Sequence, residues 1–140
     1  MSTLYTATAT AIGGRDGHVE TADGLLKLDM SIPKSMGGPG RPDTTNPEQL
    51  FAMGYAACFG GAIGLIAKQR EIKVSGIAVT AEVHIGPEQG GGLKLAVDLN
   101  ARIDGVARSQ AEALVAAAHE ICPYSKATRG NIEVALKVVD

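Results

Sequence analysis

The sequence predicts an α+β fold, with largely antiparallel sheets wrapped around central helices. Three observations carry this expectation. Stretches of alternating apolar and polar residues come in groups joined by glycine-rich turns, a helical segment follows each group, and one further strand closes the chain. At 140 residues, with 18 glycines and 6 prolines spread along it, the chain is expected to form a single domain over residues 1–140 and to bury a core without staples.

Leu4–Ile12 alternates Tyr and Ala with Thr, a strand pattern, and Gly13-Gly14-Arg15-Asp16-Gly17 after it reads as a turn. His18–Glu20 and Leu25–Met30, split by Asp23-Gly24, complete a small antiparallel meander. Pro33–Thr45, rich in proline and glycine, is expected to be a wrapping loop that delivers the chain to a helix over Asn46–Ala67. Asn46 suits the cap, Pro47 the first helical position, and Gln49 sits three residues past the cap, where a capping box wants Glu or Gln.

That helix organises the rest. Phe51, Tyr55, Cys58 and Ala62 share one face and the opposite face is also apolar, so it should be covered on all sides. The uncharged run Leu50–Ala67 meets the composition of a membrane span, yet it rises only about 27 Å, short of a hydrocarbon core. Its neighbours read as soluble sheet, so Gly54, Gly60, Gly61 and Gly64 are read as allowing another helix to approach.

Lys73–Ile85 and Leu93–Ile103 alternate well and read as a long ribbon closed by the Gly86–Gly92 loop. Ser109-Gln110-Ala111-Glu112 reads as a capping box opening a second helix, which Pro123 ends just past Cys122. Asn131–Val139 reads as the last strand.

A net charge of −2 and the lack of a basic run argue against nucleic acid. The start, Met-Ser-Thr-Leu-Tyr, has no basic patch followed by an apolar segment, so no signal peptide is expected and the cytoplasm is the expected compartment. There the 2 cysteines are expected reduced, catalytic or merely buried rather than joined in a permanent disulfide. A structural reading, two cysteines packed in the core, stays open. Metal binding through His119-x-x-Cys122 lacks a full ligand set, so no metal is expected. His18, His84 and His119 have no assigned role.

If Cys58 is a nucleophile it must ionise. It lies more than about three turns into its helix, beyond the reach of the N-terminal dipole, so a cation must come from elsewhere. Arg15, on its glycine-rich turn, is the candidate, and Glu48 is the natural anchor for its guanidinium. Glu48 and Cys58 are separated by about 15 Å along one straight helix and cannot share a site in one chain. Two helices packed antiparallel across a two-fold, each lending its start to its partner's middle, would solve this. An obligate homodimer with shared sites is therefore expected.

The stretches Gly13–Gly17, Thr45–Phe51, Gly54–Phe59 and Cys122–Asn131 closely resemble the organic hydroperoxide resistance proteins, the Ohr branch of the OsmC/Ohr family, and the match runs nearly end to end. The Pro39–Thr44 loop is its least typical part. The resemblance implies an intertwined homodimer and a thiol peroxidase that prefers organic hydroperoxides. Cys58 matches the cysteine that attacks the peroxide and Cys122 the one that resolves its sulfenic acid to a disulfide, while Arg15 and Glu48 match the activating pair. It also implies dihydrolipoamide or a lipoylated protein as electron donor, with no bound cofactor. Phe51, Met53, Tyr55 and Phe59 would suit an apolar vestibule for alkyl or fatty-acid hydroperoxides, or could be plain core. Two alternatives remain: a general OsmC-type peroxidase, and a dimeric apolar-ligand-binding protein whose cysteines only pack.

Overall fold

A computed structural model describes the chain from Met1 to Asp140. The residues gather into two compact units, Met1–Leu50 and Phe51–Asp140. The fold is α+β, as the sequence predicts.

The first unit is a three-stranded antiparallel meander, β1 (Ala9–Ile12), β2 (His18–Thr21) and β3 (Lys27–Asp29), in the order β1-β2-β3. Strand pairing starts at Ala9 opposite Thr21 rather than at Leu4, because β2 turns away after Thr21 and offers no further partner. The last contact is a single bond from the Ala22 amide to the Thr8 carbonyl, at 2.8 Å. All four residues of β1 are exposed, and Ile12, Leu25 and Leu26 leave apolar surface uncovered. The chain then wraps from Met30 to Thr45, where these two residues form a parallel bridge.

Helix α1 runs over Pro47–Gln69. Its start is built as expected: the Asn46 side chain accepts the Gln49 amide at 2.9 Å. Gln49 itself turns outward and accepts the Thr45 hydroxyl at 2.7 Å, so the capping box is not closed. By length and composition α1 could cross a bilayer, with a mean hydropathy of 1.8. Here it sets one face, Tyr55, Phe59, Ala62, Ile63, Ile66 and Ala67, into the core of the second unit. The expectation of cover on all sides is not met within the chain, since Met53 and Leu65 remain about half exposed.

The second unit holds β4 (Gly76–Pro87), β5 (Leu93–Asp104), α2 (Arg108–Ile121), α3 (Pro123–Thr128) and β6 (Val134–Val138). Because side chains alternate across a strand, the ribbon sorts itself into two faces. Ile77, Val79, Ala81 and Val83 stand opposite Ile103, Ala101, Leu99 and Val97 and face the helices. Glu82 opposite Asp98 and Thr80 opposite Asn100 face away. Strand β6 adds Val134, Leu136 and Val138 to the inner face, but it runs parallel to β5 because α2 and α3 carry the chain back across the sheet before it returns. Leu114, Val115 and Ala118 of α2 complete the core. Each large aliphatic side chain so buried contributes about 1.5–3 kcal/mol.

Helix α2 is capped two residues earlier than the expected box, at Ala107 rather than Ser109, and begins at Arg108. Ala107 has no side-chain acceptor, so only half of the motif forms, the Gln110 side chain accepting the Ala107 amide at 3.4 Å. Pro123 does end α2, yet it also opens α3, where proline fits the first position.

Candidate active site

Two groupings of candidate residues form, one in each unit. In the first, the turn Gly14–Asp16 presents Arg15. Gly13 there has φ of 80°, and a Cβ on Gly17 would lie 1.7 Å from the Ile12 carbonyl oxygen, so the tight hairpin needs glycine at both places. Arg15 donates through both terminal nitrogens to the two carboxylate oxygens of Glu48, at 2.9 and 2.7 Å. This is the bidentate geometry in which guanidinium and carboxylate match best. The pair is mutually reinforcing: Arg15 holds the Glu48 carboxyl below its ordinary range, and Glu48 raises the guanidinium further above its own.

The turn is also latched. Arg41 donates to the carbonyls of Asp16 and Met30 at 3.1 and 2.8 Å, and the Asp16 carboxylate accepts the Ile32 amide at 3.3 Å. Sequence reasoning did not single out Arg41, which sits in the loop that least resembles the family. Only a side chain reaching two backbone carbonyls identifies it, and no motif encodes that.

In the second unit Cys58 of α1 and Cys122 meet. Cys122 is the extended residue joining α2 to α3, with φ −60° and ψ 123°. Both thiols are free, Cys58 half-buried and Cys122 fully buried, and the Cys122 thiol points at the Cys58 sulfur across 3.6 Å. Burial pushes the Cys58 thiol above its ordinary value; the Tyr124 amide works against this, and the neighbouring Cys122 thiol adds to it. None of these influences is a cation.

Tyr55 and Phe59 are fully buried, Phe51 is half-buried and Met53 is 59% exposed. Of the four apolar candidates, Phe51 and Met53 therefore keep an outward surface. Gly54 admits the Tyr124 ring, whose hydroxyl oxygen would lie 2.9 Å from a Cβ at that position. The expected role of Gly54 in close approach is met by α3.

Beneath the sulfurs lies a buried polar cluster that the sequence did not announce. The Tyr55 hydroxyl bonds Ser125 and Thr128 at 2.9 and 3.0 Å, and His119 Nδ1 bonds Ser125 at 2.8 Å. Burial and the charge of Arg129 hold the His119 pKa below its ordinary value, against Glu120. His119 thus faces a serine rather than completing a metal site with Cys122. The other two histidines sit on strand surfaces, His18 between Asp29 and Glu20 and His84 beside Asp98.

Comparison with known proteins places the chain in a family. The model of the OsmC-like protein family matches residues 38–137. The organic hydroperoxide resistance protein OhrA of Bacillus subtilis is 47% identical over 138 residues, covering 98% of this chain and 97% of its own. The chain belongs to the OsmC family, in its organic hydroperoxide resistance branch. Solved OsmC-family structures agree. An organic hydroperoxide resistance protein from Legionella pneumophila superimposes with a TM-score of 0.94 at 52% identity, covering 99% of this chain and all of its own. OhrB of Bacillus subtilis does so with a TM-score of 0.90 at 45% identity, over 98% of this chain.

Proposed function

We propose that the protein is a cytoplasmic, cysteine-based peroxidase that reduces organic hydroperoxides to alcohols. The observation that carries this reading is the pair of free sulfurs 3.6 Å apart, one reachable and one buried. The names of its relatives, proteins of organic hydroperoxide resistance, point the same way.

In the first step the Cys58 thiolate attacks the outer peroxide oxygen. The O–O bond breaks, an S–O bond forms, sulfur is oxidised by two electrons, and the departing alkoxide takes a proton to become an alcohol. Cys122 then attacks the sulfenic sulfur, forming the disulfide and releasing water as its own proton joins the leaving hydroxide. An external dithiol, for which a dihydrolipoyl group is the proposed donor, exchanges with that disulfide and restores both thiols. The cycle needs no metal and no bound cofactor.

Arg15 and Glu48 supply what Cys58 lacks. In our reading they act on the Cys58 of a second copy, in a homodimer whose sites are shared. The uncovered Ile12, Leu25 and Leu26 of the first unit and the exposed Met53 and Leu65 of α1 support such a partner. Phe51 and Met53 would line the approach for an alkyl chain.

One equivalent of cumene hydroperoxide should remove both free thiols of the reduced protein, counted with a chromogenic disulfide. Cys58→Ser should abolish the reaction, whereas Cys122→Ser should turn over once and then accumulate sulfinic acid by mass spectrometry. A protein that keeps both thiols under this treatment is a binding module with packed cysteines and not a peroxidase.

A further inference from the structure

We infer that the buried Tyr55–Ser125 hydrogen bond is the positioning element for the resolving step: it fixes the register of α3 on α1 and with it the distance over which Cys122 reaches Cys58. The role of Cys122 in that step rests on the peroxidase reading above; the register argument rests on geometry alone.

The two contacts are successive rungs between the same elements. Tyr55 and Cys58 are three residues apart on α1, on one face. Cys122 and Ser125 are three apart across the start of α3. The sulfurs face each other at 3.6 Å and the hydroxyls at 2.9 Å. A third element is tied in, because His119 in the last turn of α2 bonds Ser125 at 2.8 Å. That bond spans the α2–α3 junction at which Cys122 sits, so the residue that must move is held on both sides.

One proton arrangement satisfies every group. His119 Nδ1–H donates to Ser125, Ser125 to Tyr55, Tyr55 to Thr128, and Thr128 to the Ser125 carbonyl at 3.2 Å. Tyr55 and Ser125 have no exposed surface and Thr128 is 5% exposed, so no water competes for these bonds. What hydroxyls add is direction, since a hydrogen bond between oxygens tolerates only a few tenths of an ångström before it weakens.

Disulfide formation makes a matching demand. Two sulfurs at 3.6 Å must close to about 2.05 Å, an approach of roughly 1.5 Å. Side-chain rotation supplies that movement only if α3 stays seated. Sliding α3 by a comparable distance, which loss of the rung allows, leaves Cys122 out of reach.

The test uses Ser125→Ala, with Tyr55→Phe as an independent second variant. In Ser125→Ala the Tyr55 hydroxyl keeps Thr128, and in Tyr55→Phe Ser125 keeps His119, so neither strands the whole cluster. Rapid mixing with cumene hydroperoxide gives the rate of sulfenic acid formation and the rate of its conversion to disulfide. The ratio of resolution to attack should fall about tenfold in each variant, and the double variant should fall no further, because one rung is broken once. The second readout needs no peroxide. In equilibrium with oxidised glutathione, the Cys58–Cys122 disulfide should be about tenfold less stable, close to 30 mV. An unchanged ratio and unchanged disulfide stability, or an equal slowing of both steps, would overturn the inference. If the wild type makes no disulfide with hydroperoxide, the peroxidase reading fails, while the glutathione equilibrium still tests the rung.

Discussion

Arg15 and Glu48, 33 positions apart, are joined through two parallel hydrogen bonds, and the glutamate side chain is only 12% exposed. Such a clamp fixes the guanidinium plane, so its free edge can face an anion without searching for it. Because Glu48 has a lowered pKa in the fold, its share of the clamp is complete above the ordinary glutamate value of about 4.3 and is lost as the pH falls through the folded value. The Cys58 thiol is shifted the opposite way, upward, and in the proposed reading Arg15 is the cation that offsets this. Arg15→Ala should therefore move the pH profile of Cys58 alkylation to higher pH. For a thiol of ordinary pKa, a few per cent ionised at neutral pH, the loss from ionisation would be about thirtyfold at most, and the burial that raises Cys58 allows a larger one. The deficit should shrink as the pH rises, and Glu48→Gln should fall between wild type and Arg15→Ala. A profile that does not move would separate Arg15 from the thiol.

Much of this clamp was legible in the sequence, because each part leaves a local mark. The Asn46 cap and the glycines around Arg15 follow from backbone chemistry, and the inner face of β4 and β5 follows from alternation. What stayed hidden depends on distant partners. Helix α3 is 6 residues long, too short to show a period. The parallel seating of β6 on β5 is set by the path through α2 and α3 and not by any residue in β6. Gln49 met the pattern of a capping box yet bonds Thr45, since a neighbouring hydroxyl competed for the same acceptor. Both cysteines could be named as reactive candidates, but only the fold brings their sulfurs together.

Gly54 offers a test of how tightly α3 must seat. An added Cβ would lie 2.9 Å from the Tyr124 hydroxyl oxygen, closer than real Cβ atoms come, and 3.2 Å from its ring, tighter than most such contacts. The tyrosine is 38% exposed, so its ring can give by swinging outward and relieve part of the clash. Gly54→Ala should cost about 1–3 kcal/mol in urea unfolding, partly offset by the better helix propensity of alanine. Tyr124→Phe in the same background should relieve part of that cost. If Gly54→Ala is as stable as wild type in both backgrounds, the contact is not the reason for glycine there.

The shared-site reading makes the most discriminating demand. Helix α1 is uninterrupted from Pro47 to Gln69, so Glu48 near its start and Cys58 in its middle stay about 15 Å apart along the axis. A Cys58 served by Arg15 must then borrow it from a second copy. Consider Arg15→Ala and Cys58→Ser chains, each nearly inactive alone, co-expressed in equal amounts. In a hybrid dimer the intact Cys58 of one chain meets the intact Arg15 of the other, giving one complete site and one site lacking both groups. Random pairing makes half of the dimers hybrid, so about a quarter of wild-type activity should return. Sites built within single chains would gain nothing from mixing, since every cysteine that remains would still face an alanine. Activity no higher than the residual level of Arg15→Ala, with hybrids verified by mass spectrometry of the intact dimer, would overturn the shared site.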